Sequence, residues 1–320
     1  MGHPRSALLA GLFFFALTGC SSPAPLLPAP VDRQQAIPAG AVKLTADDDP
    51  HPPQLHDDRF TQPIPVPGQI NTAGAEDSPF VTPPGDVMYF FFTPAIAQSP
   101  EEELVGGVAG IYRSRFESGG WTEPERVQLA RPGVPALDGC PFFQDGVLWF
   151  CSARQGNNRG VDFWIARQEG AGFADPQNAG EQLNATYQIG EMHLAPDGSD
   201  LYFHSNAPGG AGGVDIWVSH RDGESWSQPV NLAAVNTAVD EGWPFISADG
   251  RELWFTRTYE GSPAIFRSTR SGNAWDAPEL VVSQFAGEPT LDAAGNLYFV
   301  HHYLIDGELV EADLYVASRK

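Results

Sequence analysis

The chain has 320 residues, with 34 Gly, 29 Pro and a formal net charge of −22. Such a charge repels nucleic acid and anionic lipid surfaces, and leaves cationic partners, divalent ions and neutral glycans as compatible classes. Gly and Pro interrupt every apolar run, which excludes long helices and favours short strands.

Arg5 precedes an apolar run over 7–17 that is too short to span a bilayer. The run ends in Leu17-Thr18-Gly19-Cys20, which resembles the bacterial lipobox. The resemblance implies that residues 1–19 are a signal peptide and that Cys20 becomes the lipid-bearing first residue. The membrane is then a partner through the anchor, since each buried acyl methylene contributes about 0.8 kcal/mol. By resemblance to enterobacterial lipoprotein sorting, Ser21 rather than Asp after the Cys implies the outer membrane, with the body facing the periplasm or the surface. Residues 20–54 carry eight prolines and the run Asp47-Asp48-Asp49. This composition predicts a disordered tether.

Residues 55–320 are repetitive. A hydrophobic-aromatic strand recurs five times, centred on Tyr89, Trp149, Tyr202, Trp254 and Tyr298, at spacings of 60, 53, 52 and 44 residues. A Gly-containing turn precedes each copy, and Asp-Gly between apolar runs predicts a hairpin. A Gly-rich loop and a third strand follow. Then comes an aromatic with Pro three residues later: Trp121/Pro124, Phe173/Pro176, Trp226/Pro229 and Trp275/Pro278. The fifth repeat lacks this motif, and the missing copy lies before the first repeat as Phe60-Thr61-Gln62-Pro63. This arrangement predicts an all-β, five-bladed β-propeller closed by an N-terminal outer strand.

The third repeat, Ala195-Pro196-Asp197-Gly198-Ser199-Asp200-Leu201-Tyr202-Phe203 followed by Gly209-Gly210-Ala211-Gly212-Gly213-Val214-Asp215-Ile216-Trp217, resembles the TolB-type, WD-repeat-like propeller repeats of bacterial envelope proteins. The resemblance implies an envelope location and a protein or glycan partner. It transfers no catalytic residue set.

Two cysteines remain after Cys20. With a two-residue hairpin at Asp145-Gly146, Cys140 and Cys151 fall opposite each other, which predicts a disulfide. An acidic residue lies 10–13 positions before each aromatic landmark: Glu76, Asp138, Glu191, Glu241 and Glu288. In a propeller these positions form a ring at the channel mouth. Three readings are open. Backbone N–H groups cap the carboxylates, or the ring holds a divalent cation or polar ligand, or two of them work as a glycosidase pair. Non-repeating residues beside the ring add further ligand-binding candidates: His193, His204, Trp243, Arg257 and His301. The favoured function is binding or scaffolding of a protein or glycan, and the alternative is a carbohydrate-active hydrolase.

Overall fold

The computed structural model describes residues 32–131, 133–174, 176–184, 189–223, 225–272 and 274–320. The expected signal peptide, Cys20 and the start of the expected tether lie outside the described residues.

The fold is all-β. Five antiparallel units succeed one another, each with first, second, third and outer strands. Unit 1 comprises Ala75–Val81, Val87–Thr93, Gly110–Glu117 and Glu125–Arg126. Unit 2 comprises Ala136–Gln144, Val147–Arg154, Asp162–Glu169 and Gln177–Asn178. Unit 3 comprises Ile189–Leu194, Asp200–Ser205, Asp215–Asp222 and Val230–Asn231. Unit 4 comprises Glu241–Ile246, Glu252–Tyr259, Ser262–Ser271 and Glu279–Ser283. Unit 5 has Ala286–Leu291, Leu297–Ile305 and Glu308–Ala317, and its outer strand is the N-terminal Ile64–Pro65, paired to Val316 and Tyr315. One parallel pair, Ala312 with Ala75, joins units 5 and 1 in a single sheet.

The aromatic-x-x-Pro motif does not form one outer strand, as the spacing suggests. Its aromatic sits in a two-residue ladder against the end of the third strand, and the outer strand begins just after the Pro. Pro lacks an N–H, so the ladder breaks there.

Those aromatics meet the aromatic landmarks of the neighbouring unit. Trp121 lies edge-on to Tyr298, Phe173 to Tyr89, Trp226 to Trp149, Trp275 to Tyr202 and Phe60 to Trp254. Centroid distances run from 6.0 Å for Phe60 to 6.5 Å for Phe173, within the range aromatic pairs prefer. Each outer aromatic reaches the unit before its own, and the outer aromatic of unit 1 reaches unit 5. The first strands also touch in sequence, from unit 1 to unit 5 and from unit 5 back to unit 1.

Residues 32–54, expected as a disordered tether, pack on this body instead. Arg33 is buried and donates to Ile70 O at 2.6 Å and Glu76 Oε1 at 3.2 Å. Lys43 pairs with Glu311 and Asp313. Asp49 Oδ2 lies 2.7 Å from His301 Nε2, with both side chains fully buried. Gln54–Leu55 adds a strand to the edge of unit 4. The composition conceals these contacts because charged side chains anchor the segment together with a few scattered apolar ones, Ala36, Ile37 and Leu44.

Phe60 is fully buried, whereas Phe116 is 46% exposed. Phe60→Ala is expected to cost about 3–5 kcal/mol of folding stability, the range for a buried aromatic. Phe116→Ala is expected to stay within about 1 kcal/mol. Urea denaturation of both variants checks the difference.

Candidate functional site

Each first strand carries a register shift: between Asp77 and Phe80, Gly139 and Phe142, Gly190 and Met192, Gly242 and Phe245, and Gly287 and Thr290. Four of the five have a left-handed residue followed by Pro. These are Ser78 (φ 49°), Cys140 (φ 54°), Trp243 (φ 52°) and Glu288 (φ 57°). Pro ends the ladder, and the left-handed residue re-aims its side chain. In unit 3 the position is taken by Glu191, followed by Met192. The five equivalent residues are therefore Ser78, Cys140, Glu191, Trp243 and Glu288. All five line one cavity of about 640 Å³.

This corrects the expected single ring of acids, which is split between two positions. Glu76, Asp138 and Glu241 lie two residues before the bulge and are consumed by local partners. Glu76 accepts from Thr72 N at 2.9 Å and Thr72 Oγ1 at 2.7 Å, and Glu241 accepts from Thr237 N at 2.9 Å and Thr237 Oγ1 at 2.6 Å. Arg33 and Arg257 complete the two sets. Asp138 accepts from Ser152 Oγ at 2.7 Å and Arg154 Nη2 at 2.5 Å. A Thr four residues before the acid, in Thr72/Glu76 and Thr237/Glu241, was the sequence signal for capping. Arg257, tied to Glu241 and to Val235 O, is structural as well.

Glu191 and Glu288 remain. Ser78 joins them: its N–H donates to Glu288 Oε2 at 2.6 Å, and its hydroxyl donates to Glu191 Oε1. Asp77 and Glu103 line the same cavity. Burial pushes Glu288 up to about 7, while the Ser78 N–H and hydroxyl hold it down. Burial, and then the charge of Glu288, push both Glu191 and Asp77 well above the usual carboxylate range.

His204 and Trp243 form the aromatic side of the cavity, with centroids 4.8 Å apart. Trp243 N donates to His204 Nδ1 at 3.2 Å, which leaves the ring proton on Nε2. Burial lowers this imidazole to about 4, so it is neutral at pH 7. A Cβ at Gly190 would lie 1.9 Å from His204 Nε2, so only glycine admits the ring there.

Two other histidines leave the expected site. His193 lies two residues past Glu191, in a plug with Phe80, Phe142 and Phe245, and its ring centroid is 4.3 Å from Phe142 and 4.5 Å from Phe245. The plug floors a wider depression of about 1100 Å³ that is distinct from the acidic cavity. His301 is spent on Asp49, and its neighbour His302 lines the acidic cavity in its place.

The expected disulfide is not formed. The Asp145-Gly146 hairpin keeps the expected register as far as Phe142 opposite Trp149. The bulge then shifts pairing by one, so Gly139 faces Cys151 and Cys140 turns into the cavity. Both cysteines are free thiols, within hydrogen-bonding reach of each other. No group of three His, Cys, Asp or Glu is gathered closely enough to hold a metal ion among the described residues, so the divalent-cation reading has no site there.

Sequence reasoning missed Asp77, Ser78 and Glu103. The available signal was the residue before Pro79, Pro141, Pro244 and Pro289, which marks the true equivalent position.

No protein-family model and no characterised protein matches the sequence. Among solved structures the chain is similar to the Bacteroides ovatus xyloglucan-locus protein GH43B (14% identity, TM-score 0.50, covering 79% of this chain and 53% of that one). It is similar to a xylan β-1,4-xylosidase from Bacillus halodurans C-125 (12% identity, TM-score 0.50, 78% and 53%). A looser likeness is to TolB from Acinetobacter baumannii (14% identity, TM-score 0.44, 78% and 55%). The chain spans about half the length of each. At such identities the likeness is one of fold: all-β and propeller-like.

Glu288 gives the cavity a measurable pH signature. Its folded value lies above the ordinary 4.5, so between about 4.5 and 7 the folded state holds a proton that the unfolded state has lost. The associated stability is complete below about 4.5 and is lost as pH rises through about 7. Buried neutral His193, His204 and His302 act with the opposite sign below their ordinary value, so the readout is a difference between proteins. From pH 5 to pH 8 the wild type is expected to lose about 3 kcal/mol relative to Glu288→Gln, measured by urea denaturation.

Proposed function

We propose that the five units close into a five-bladed propeller on an exported chain anchored through Cys20 in the bacterial envelope, and that its acidic cavity binds a glycan. Closure is supported by the cyclic order of the five edge-on aromatic pairs and by the N-terminal outer strand of unit 5. The observation that carries the binding reading is the meeting of Glu191 and Glu288, from units 3 and 5, on Ser78 of unit 1, beside the Trp243–His204 pair. Carboxyls and carboxylates offer hydrogen bonds to sugar hydroxyls, and an indole face packs on apolar sugar edges. The cavity volume is within the range for small-ligand sites. The net charge favours neutral or cationic glycans over acidic ones.

Hydrolysis is the second reading. It is favoured by one observation: two neighbouring carboxyl groups with unlike surroundings, one held by a main-chain N–H and the other more strongly raised. Such a pair suits acid and base roles on a glycosidic bond. Two solved neighbours with TM-score 0.50 carry glycoside-hydrolase names, which agrees with this reading without assigning a substrate.

The test is a glycan array probed with the full mature chain in detergent, followed by turnover assays on every oligosaccharide bound. The expected result is saturable binding to neutral oligosaccharides, weakened at least about tenfold in Trp243→Ala and in Glu191→Gln without a fall in Tm. Product release by wild type and its loss in Glu191→Gln would select hydrolysis. Binding to no glycan, or binding unaffected by either substitution, overturns the assignment of this cavity.

A further inference from the structure

Three chain segments far apart in sequence bring carboxyl groups to one serine. Asp77 precedes Ser78 in unit 1, Glu191 comes from unit 3 and Glu288 from unit 5. Ser78 is 8% exposed, and its backbone is left-handed at φ 49°. That conformation, fixed at the break before Pro79, turns its main-chain N–H off the ladder and onto Glu288. The serine then offers two donors with different fates. The N–H is permanent and serves Glu288 alone. The hydroxyl has one proton, which bonds Glu191 and is within reach of Glu288 and Asp77 as well.

We propose that Ser78 is a positioning residue that sets the order in which the two acids ionise: its main-chain N–H makes Glu288 the anion of the cluster, and Glu191, left with a share of the hydroxyl alone, is the proton-bearing acid. The N–H is a donor that no carboxyl proton can replace, so the carboxyl it serves ionises first. Once Glu288 is charged, its field opposes ionisation of Glu191 and Asp77. The other groups facing the cluster do not reverse this order. Cys140 and Glu103 disfavour further negative charge, His204 and His302 are neutral above about 4, and Arg159 is exposed at the rim. As pH rises through about 7 the cavity therefore gains one negative charge, on Glu288, while Glu191 keeps its proton. A ligand meets an acceptor at Glu288 and a donor at Glu191.

This assignment deepens the reading of Glu191 and Glu288 as the working pair, but its test does not need a ligand. The experiment is carboxyl-carbon NMR titration of the full mature chain with 13C-labelled Glu, the two signals being identified by Glu191→Gln and Glu288→Gln. Ser78→Gly is the main variant. It keeps the N–H, deletes the hydroxyl and relaxes the positive φ, so the fold is not at risk. Ser78→Ala repeats the deletion with a Cβ retained. The expected result in wild type is that Glu288 ionises at lower pH than Glu191. In both variants the Glu191 midpoint moves further up, and Glu288 remains the first to ionise. Glu191 ionising first in wild type, or no movement of its midpoint on loss of the hydroxyl, overturns the proposal. Failure of the glycan array with these titrations as expected would remove the glycan reading and leave the division of labour standing.

Discussion

The edge-on contact between one unit's outer aromatic and the preceding unit's second-strand aromatic is the interaction on which the architecture depends. A four-stranded unit on its own leaves both faces short of apolar cover. The recurring pair supplies that cover at every junction, in one geometry, from residues that sequence spacing already sets apart. It also fixes the order of units, because each outer aromatic reaches back by one unit. Phe60 is the informative member. It stands before every strand it packs against, and its burial against Trp254 and its bridge to Arg319 bring it to units 4 and 5. The edge pairing of Ile64–Pro65 follows from that docking and satisfies main-chain groups that the last unit would otherwise leave bare.

The same start of the chain repairs two polar deficits at the junction of units 5 and 1. In units 2 and 3, a buried Asp at the head of the third strand is satisfied by its own preceding loop. Asp162 accepts from Asn158 N at 2.7 Å, and Asp215 from Ala211 N at 2.8 Å. Unit 5 replaces that loop with a tight turn at Asp306-Gly307, and Asp313 takes Lys43 instead. Unit 4 satisfies Glu241 with Arg257, directly across the strand pair. Unit 1 has Phe92 at the place of that Arg, and Arg33 enters over its ring to reach Glu76. Breaking a buried pair by removing one partner costs about 3–5 kcal/mol. Residues 32–54 thus belong to the folded body through buried charge pairs, beside the apolar contacts of Ala36, Ile37 and Leu44, and a compositional reading of Pro, Ala and Asp does not register them.

The legible part of the fold was the part written in repeats. Tyr89, Trp149, Tyr202, Trp254 and Tyr298 announce the second strands because packing at every junction demands a large ring at that position. The Asp145-Gly146 turn was equally readable, since both residues adopt the left-handed backbone that a two-residue hairpin requires. The site was less legible because the bulge changes the count. Aligning acids by type put Glu191 beside Glu76, Asp138 and Glu241, whereas the break before Pro puts it beside Ser78, Cys140, Trp243 and Glu288. One inserted residue decides whether a carboxyl meets a capping Thr or an open cavity. It decided the fate of Cys140 as well.

That split gives the cavity its chemical character. Repeated positions in a symmetric ring tend toward equivalent environments, which suits packing and offers no asymmetry for recognition. Here the bulge position has diverged in every unit: a hydroxyl, a thiol, an indole and two carboxyls. The capping acids two residues earlier hold three of the first strands in place, so the variable position is displayed on a fixed frame. Glu191 and Glu288 come from units separated by unit 4, and unit 1 supplies the residue between them. No single repeat contains the site. Its geometry exists only when the first strands of all five units are brought together, and for that reason the aromatic junctions and the N-terminal segment, none of which touches the cavity, are part of what makes it.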